Sequence, residues 1–123
     1  MIDTKDVVAL DGVPYIKTES NAIGSCIKFA DGTMIVFQRK VFTNIDITNP
    51  AGTNFIGELD FGAWAFPFIS APVQSRTIVA PGLFLYGQSY GNGTLIGGGH
   101  AAYHVAVPKQ SVWVDIVGYG RWK

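Results

Sequence analysis

Charge is scarce in this chain, and cysteine nearly absent. Only 15% of its 123 residues are Asp, Glu, Lys or Arg, against roughly 25% in ordinary soluble domains, while 48% are hydrophobic. A chain of this size fits one domain, and so little charge implies more surface to hide than a small lone domain can bury, which points to self-association. Nine Lys plus Arg balance nine Asp plus Glu. The basic excess that phosphate-backbone binding requires is missing, so nucleic acid is not an expected partner. The single cysteine, Cys26, excludes an intrachain disulfide, and no Cys/His spacing suits a structural zinc site; Cys26 reads as a small apolar strand residue. No basic start leads into an apolar run at the N-terminus, and no stretch approaches the ~18 apolar residues of a membrane span. Synthesis in a cytoplasm without membrane insertion is expected. Helical stripes with caps are also missing.

What is present is strand pattern. The clearest stretch runs from Gly24 to Phe42, two strand-like runs joined by Asp31-Gly32, a pair that favours a type I′ hairpin turn. That turn sets Phe29 opposite Met34, Ile27 opposite Val36 and Cys26 opposite Phe37. One face would carry Ile27, Phe29, Met34 and Val36. The other, with Ile35 and Phe37, is too apolar to meet only water. Thr43 to Asn54 reads as a long turn-rich connection and Leu59 to Ile69 as an aromatic strand. Further strands are expected at 73–79, 83–90, 101–107 and 112–117, each bounded by Pro, Gly or Ser. Seven of the 15 glycines lie between Gly82 and Gly99, and Gly91 to Gly99 reads as loop. The sum is an all-β, antiparallel β-sandwich of about seven or eight strands. Residues 24–123 form the sandwich domain, and residues 1–23 read as a stalk end or linker.

Several patterns bear on chemistry. Gly87-Gln88-Ser89-Tyr90-Gly91 matches the G-x-S-x-G nucleophile elbow, but no helix follows it and no Asp or Glu lies between Ser89 and His104, so the turn reading prevails. Gly91 to Gly97 misses the dinucleotide fingerprint by one residue and has no helix to hold a phosphate. His100 and His104 are four apart in an expected strand, too far along it to grip one ion, so neither a metal nor a cofactor is expected and both read as polar surface or receptor contacts. Glu58 and Asp60 share a strand parity, but glycoside hydrolysis sets carboxylates on opposed walls of a cleft, and a solvated pair is the plainer reading. Tyr86, Gln88, Tyr90 and Asn92 alternate, so a regular strand would project all four from one side. Rings that stack on sugars beside amides that bond hydroxyls have carbohydrate-binding chemistry; a half-buried tyrosine ladder is the competing reading. Trp64, Trp113 and Trp122 are expected in the core or an interface.

Three segments carry a resemblance to a family. Glu19-Ser20 with Gly24 to Ile35, then Trp64-Ala65-Phe66-Pro67-Phe68-Ile69-Ser70-Ala71-Pro72-Val73, then Gly118-Tyr119-Gly120-Arg121-Trp122-Lys123, look like segments of the C-terminal receptor-binding domain of bacteriophage tail fibres, in the family's order. The resemblance implies a homotrimer at the distal tip of a tail fibre, in the virion of a phage or in a phage-like tail, made in a host bacterium's cytoplasm. It implies adhesion to a surface glycan such as lipopolysaccharide or capsule, or to an outer-membrane receptor, rather than catalysis. A polysaccharide hydrolase and a purely structural tail or baseplate module are the alternatives. Some tail fibres bind iron through a His-x-His spacing, which this sequence lacks.

Without an acid partner or a following helix, Ser89 should not react as a nucleophile. Incubation with a fluorophosphonate probe and mass spectrometry should find it unlabelled; stoichiometric labelling would make the chain an enzyme.

Overall fold

The computed structural model describes the backbone of residues 9–10, 13–14 and 16–123 and the side chains of 16–123. The stalk or linker expected at 1–23 lies outside the described residues at 1–8, 11–12 and 15. Eleven strands follow in chain order: β1 (Ala9–Leu10), β2 (Val13–Pro14), β3 (Ile16–Ser20), β4 (Gly24–Phe29), β5 (Thr33–Ile47), β6 (Asn49–Ala51), β7 (Asn54–Asp60), β8 (Val73–Val79), β9 (Phe84–Tyr90), β10 (Gly97–Tyr103) and β11 (Val107–Arg121). No described residue is helical. Apart from the small β1-β2 pair, the strands form a five-stranded sheet, β3-β4-β5-β11-β8, and a four-stranded sheet, β6-β7-β10-β9. All pairings are antiparallel. The expected all-β sandwich is therefore what the chain forms, with nine strands in its two sheets. The additions are short edge strands: Ile16–Ser20 pairs with β4, and Asn49–Ala51 pairs with β7.

Strand bounds shift from the sequence expectation: Ser89, read as a turn residue, lies in β9, Gly97 to Gly99, read as loop, open β10, which ends at Tyr103, and β11 extends well beyond 112–117. The backbone differs more deeply at three places. The first is the hairpin, where Lys28 faces Met34, Ile27 faces Ile35 and Cys26 faces Val36. Gly32 N–H bonds Phe29 O at 3.0 Å and Gly32 has φ 100, while Asp31 is not left-handed. The turn thus has three loop residues with the glycine in the left-handed position, instead of type I′. A slip of one residue turns every β4 side chain over: Cys26 joins Met34 and Val36 inside, and Ile27 faces outward with Ile35.

Second, Thr43 to Asn54 is not a loop. β5 continues to Ile47 through an irregularity at Asn44, φ 56, and feeds β6, whose Pro50 sits on an edge where no donor is missed. Third, the strand expected to Ile69 stops at Asp60. Residues 61–72 instead cross the end of the sandwich, burying Phe61, Trp64 and Phe68. Their backbone bonds the 92–97 segment: Phe61 N–H to Gly97 O, Trp64 N–H to Thr94 O and Phe68 N–H to Gly93 O, at 2.8–3.1 Å. Buried Gln38 clamps this crossing, donating to Ala63 O and accepting from Ala65 N–H.

Between the sheets lie Cys26, Met34, Val36, Val112, Val114 and Ile116 from the larger one, with Leu59 and Ala101 from the smaller, all at most 1% exposed. Each of the larger side chains contributes about 1.5–3 kcal/mol by leaving water. Cys26 is a free thiol, as a small core residue; burial pushes its pKa up, with the nearby Glu19 charge adding to the shift. Trp64 and Phe68 meet edge to face at 5.2 Å beneath Gly118 and Gly120. A Cβ at Gly118 would stand 2.6 Å from the Trp64 ring, so the ring's seat exists only because that strand position has no side chain.

Gly118→Ala should consequently destabilise the domain by about 1–3 kcal/mol, read as a lower urea midpoint at unchanged slope. A parental midpoint would show that Trp64 can retreat without loss.

Candidate functional site

The outer face of the four-stranded sheet carries a cleft of about 380 Å3. Strand alternation places its parts. On β7, Leu59 points into the core, so Glu58 and Asp60 stand outward and exposed. His100 of β10 pairs with Glu58 on one side and with Tyr86 of β9 on the other. Gly98 lies between Asp60 and Ser89. The cleft is thus a shallow trough with Glu58 and Asp60 on one wall, Ser89 and Gly87 opposite, His100 and Leu95 at its ends and the backbone of 97–99 as floor. Asp60 Oδ1 accepts from Gly62 N–H at 3.0 Å. His100 Nδ1 is shielded from solvent and has no hydrogen-bond partner among the described residues, a condition that is costly unless a ligand or water relieves it.

Tyr86, Gln88, Tyr90 and Asn92 do not share one side, because Gly87 has φ 59 and the β9-β10 register shifts between Gly98 and His100. That bulge reverses the alternation. Tyr86 faces outward, 46% exposed, as the cross-strand neighbour of His100. Gln88 and Tyr90 turn instead to Arg76, and Asn92 caps a turn, its Oδ1 accepting from Thr94 N–H, Thr94 Oγ1 and Leu95 N–H at 2.9 Å each. His104 lies beyond the end of β10 against the ring of Tyr103, 4.2 Å between centroids. Of the six residues singled out from sequence, the fold brings Tyr86 and His100 together and separates the other four from them.

Sequence reasoning passed over the residue that shapes the trough. Arg76, on the inner side of β8, reaches across to the smaller sheet: Nε donates to Gln74 Oε1, one terminal nitrogen to Gly98 O and Gln88 Oε1, and the other to Ser89 O and Ile96 O, at 2.9–3.3 Å. The guanidinium lies 4.6 Å from the rings of both Phe61 and Tyr90. Burial lowers its pKa from the ordinary guanidinium value, with Tyr90 acting in the opposite sense. It ties β9 to β10 around the bulge from beneath, on the side away from the trough. The only sequence signal was an Arg on the inward parity of an otherwise unremarked strand, beside Gln74 and Ile78.

The opposite outer face, on the five-stranded sheet, is apolar. Ile35 pairs with Tyr119 and Tyr119 with Val73; Phe37 pairs with Val117; Val41 pairs with Trp113 and Trp113 with Val79. Most of these side chains are more than a third exposed. The one ion pair set among them is neutral as a unit, with Arg39 Nε to Asp115 Oδ1 at 2.5 Å and Nη2 to Oδ2 at 2.9 Å. This hydrogen bonding lowers the Asp115 pKa and raises that of Arg39. The pair's contribution is therefore present above the ordinary carboxylate pKa and lost as pH falls through the depressed one.

No family model matches the chain, and no curated protein matches it. Among solved structures it is similar to the C-terminal part of a Pseudomonas aeruginosa R1 pyocin fibre, with TM-score 0.54 and 12% identity over 85% of this chain and 28% of that one. It is also similar to an N-truncated R1-type pyocin tail fibre, TM-score 0.54 and 14% identity, over 87% of this chain and 88% of that one. The likeness is one of fold, and the fold is one that tail fibres use. The chain spans little more than a quarter of the first structure's length.

Replacing Arg76 by Leu would leave the carbonyls of Ser89, Ile96 and Gly98 without their charged donor. We expect a loss of about 1.5–3 kcal/mol in unfolding free energy, with faster amide exchange in 87–91 than in β5. Arg76→Lys should recover only part, since an ammonium lacks the planar fork. Parental exchange in Arg76→Leu would remove Arg76 as the organiser of the trough.

Proposed function

We propose that the chain is the receptor-binding tip of a tail fibre on a phage or phage-like particle, working as a homotrimer that adheres to a bacterial surface glycan or outer-membrane receptor without turnover. The observation that carries this reading is the contrast between the two outer faces of the sandwich. One carries a row of exposed apolar side chains, Phe37, Val41, Val73, Trp113, Val117 and Tyr119, of the kind that soluble monomers rarely leave open, with its central Arg39 and Asp115 already paired. The other carries the trough, with two carboxylates on one wall and glycine backbone as its floor. A second and third copy packed on the first face leave the second free to meet a receptor. The fold shared with pyocin tail fibres supports the same reading.

Binding without catalysis is supported by the placement of Glu58 and Asp60. Both come from β7 and stand on one wall of the trough, whereas glycoside hydrolysis uses two carboxyl groups flanking the bond from opposite sides. Among the described residues no hydrogen bond joins Ser89 to a histidine or His100 to a carboxylate; Ser89 Oγ accepts from Gly98 N–H at 3.3 Å and lies 3.4 Å from Gly98 O.

Light scattering on the purified chain should give the mass of three copies, and Val117→Lys should reduce it to one with an unchanged circular dichroism spectrum. Adsorption to host cells should fall about tenfold or more in that variant through lost avidity, and Tyr86→Ala should weaken adsorption while leaving the trimer intact. A parent protein that is monomeric at micromolar concentration, or a Val117→Lys variant that adsorbs like the parent, would overturn this assembly.

A further inference from the structure

We infer that the trough is a subsite for a sugar segment without negative charge and discriminates against anionic glycans; this rests on the glycan-adhesion reading and adds the charge class of the ligand. A cavity of about 380 Å3 falls in the range of about 300–1,000 Å3 typical of small-ligand clefts. Its polar equipment is one-sided. Glu58 makes no hydrogen bond or ion pair among the described residues and Asp60 uses one oxygen on Gly62, so three of the four carboxylate oxygens are unengaged. Ionised carboxylates only accept hydrogen bonds, so a ligand must arrive with donors, and neighbouring hydroxyls on a pyranose supply them in pairs.

Among the described residues no Lys or Arg lines the trough. Arg76, the cation beneath the floor, already donates to the carbonyls of Gly98, Ser89 and Ile96. A phosphate, uronate or sialyl group entering here would meet two negative charges with no counter-charge facing it. The remaining surfaces also suit a neutral ring: the side-chain-free backbone of 97–99 is a flat seat, Leu95 an apolar edge, and Ser89 and His100 can donate or accept at the rim. An oligosaccharide whose acidic groups lie outside the bound segment is still admitted.

The test uses the purified chain on immobilised oligosaccharides in three matched sets: neutral, the same cores carrying uronate or phosphate, and free-amine glucosamine oligomers. Neutral oligosaccharides should be retained, with their acidic counterparts about tenfold weaker or more, as one like-charge repulsion at contact distance implies. In a Glu58→Gln/Asp60→Asn double variant with a parental circular dichroism spectrum, that gap should shrink below about threefold. Tighter binding of the acidic set, a free-amine set bound more weakly than the neutral one, or a gap unmoved in the double variant would overturn the assignment while glycan adhesion stands. Silence towards all three sets in a protein that still adsorbs to host cells would instead sink the glycan reading itself, and this inference with it.

Discussion

Everything in this domain is hung on the antiparallel pairing of Thr33–Ile47 with Val107–Arg121, two strands of 15 residues each. From Thr33 to Phe42 against Val112 to Arg121 the pairing is unbroken, so this stretch has only two faces to offer, and here both are mainly apolar. The inner face, Met34, Val36, Val112, Val114 and Ile116, closes the core. The outer face, Ile35, Phe37, Val41, Trp113, Val117 and Tyr119, is left facing solvent by this chain's own fold. Once the register is fixed, the apolar outer surface follows from alternation alone. Moving those side chains inward would expose the core set.

The second constraint is the link from this sheet to the smaller one. Arg76 places three of its five hydrogen bonds on the backbone carbonyls of Ser89, Ile96 and Gly98 and two on the side chains of Gln74 and Gln88, and is flanked by Phe61 and Tyr90. Such a cation is stable inside a sandwich only because its hydrogen bonds are made. Arg76 holds the trough's segment by its carbonyls, while close strand approach requires the glycines there: a Cβ at Gly97 would collide with Ser89 O and one at Gly98 would stand 2.8 Å from Leu59 O. Stability and site geometry thus share one side chain.

The three sequence segments resembling tail-fibre domains meet at one end of the molecule. The C-terminal strand docks on the hairpin turn, with Arg121 donating to Asp31 O, Trp122 N–H to Gly32 O and Trp122 Nε1 to Phe29 O. The aromatic segment lies under the same strand, Phe68 against Gly118 and Gly120 and Ile69 N–H on Arg121 O. They are framework, and none of their residues lines the trough, which explains why a resemblance carried by these motifs speaks to the fold and is silent on the ligand.

Local chemistry in the sequence was enough for class and parity. Glycine and proline punctuation with period-two hydrophobicity determined an all-β sandwich and the apolar excess on both sides of the Ile35 to Phe37 stretch, because those properties depend on a residue and its near neighbours. Registers and crossings were decided only in three dimensions. The hairpin loop holds three residues, and its Asp31 and Gly32 carbonyls receive the distant Arg121 and Trp122. The run after Asp60 left the sheet because Trp64 and Phe68 find their seat on Gly118 and Gly120, more than 50 residues further along. The tyrosine and glutamine of the 86–92 stretch parted at Gly87, where a positive φ that only the tertiary structure reveals broke the alternation. The trough could not be read from sequence for the same reason: Glu58, Asp60, Ser89 and His100 come from three strands whose neighbourhood is set by pairings between residues distant in the chain, and by an arginine reaching across from the other sheet.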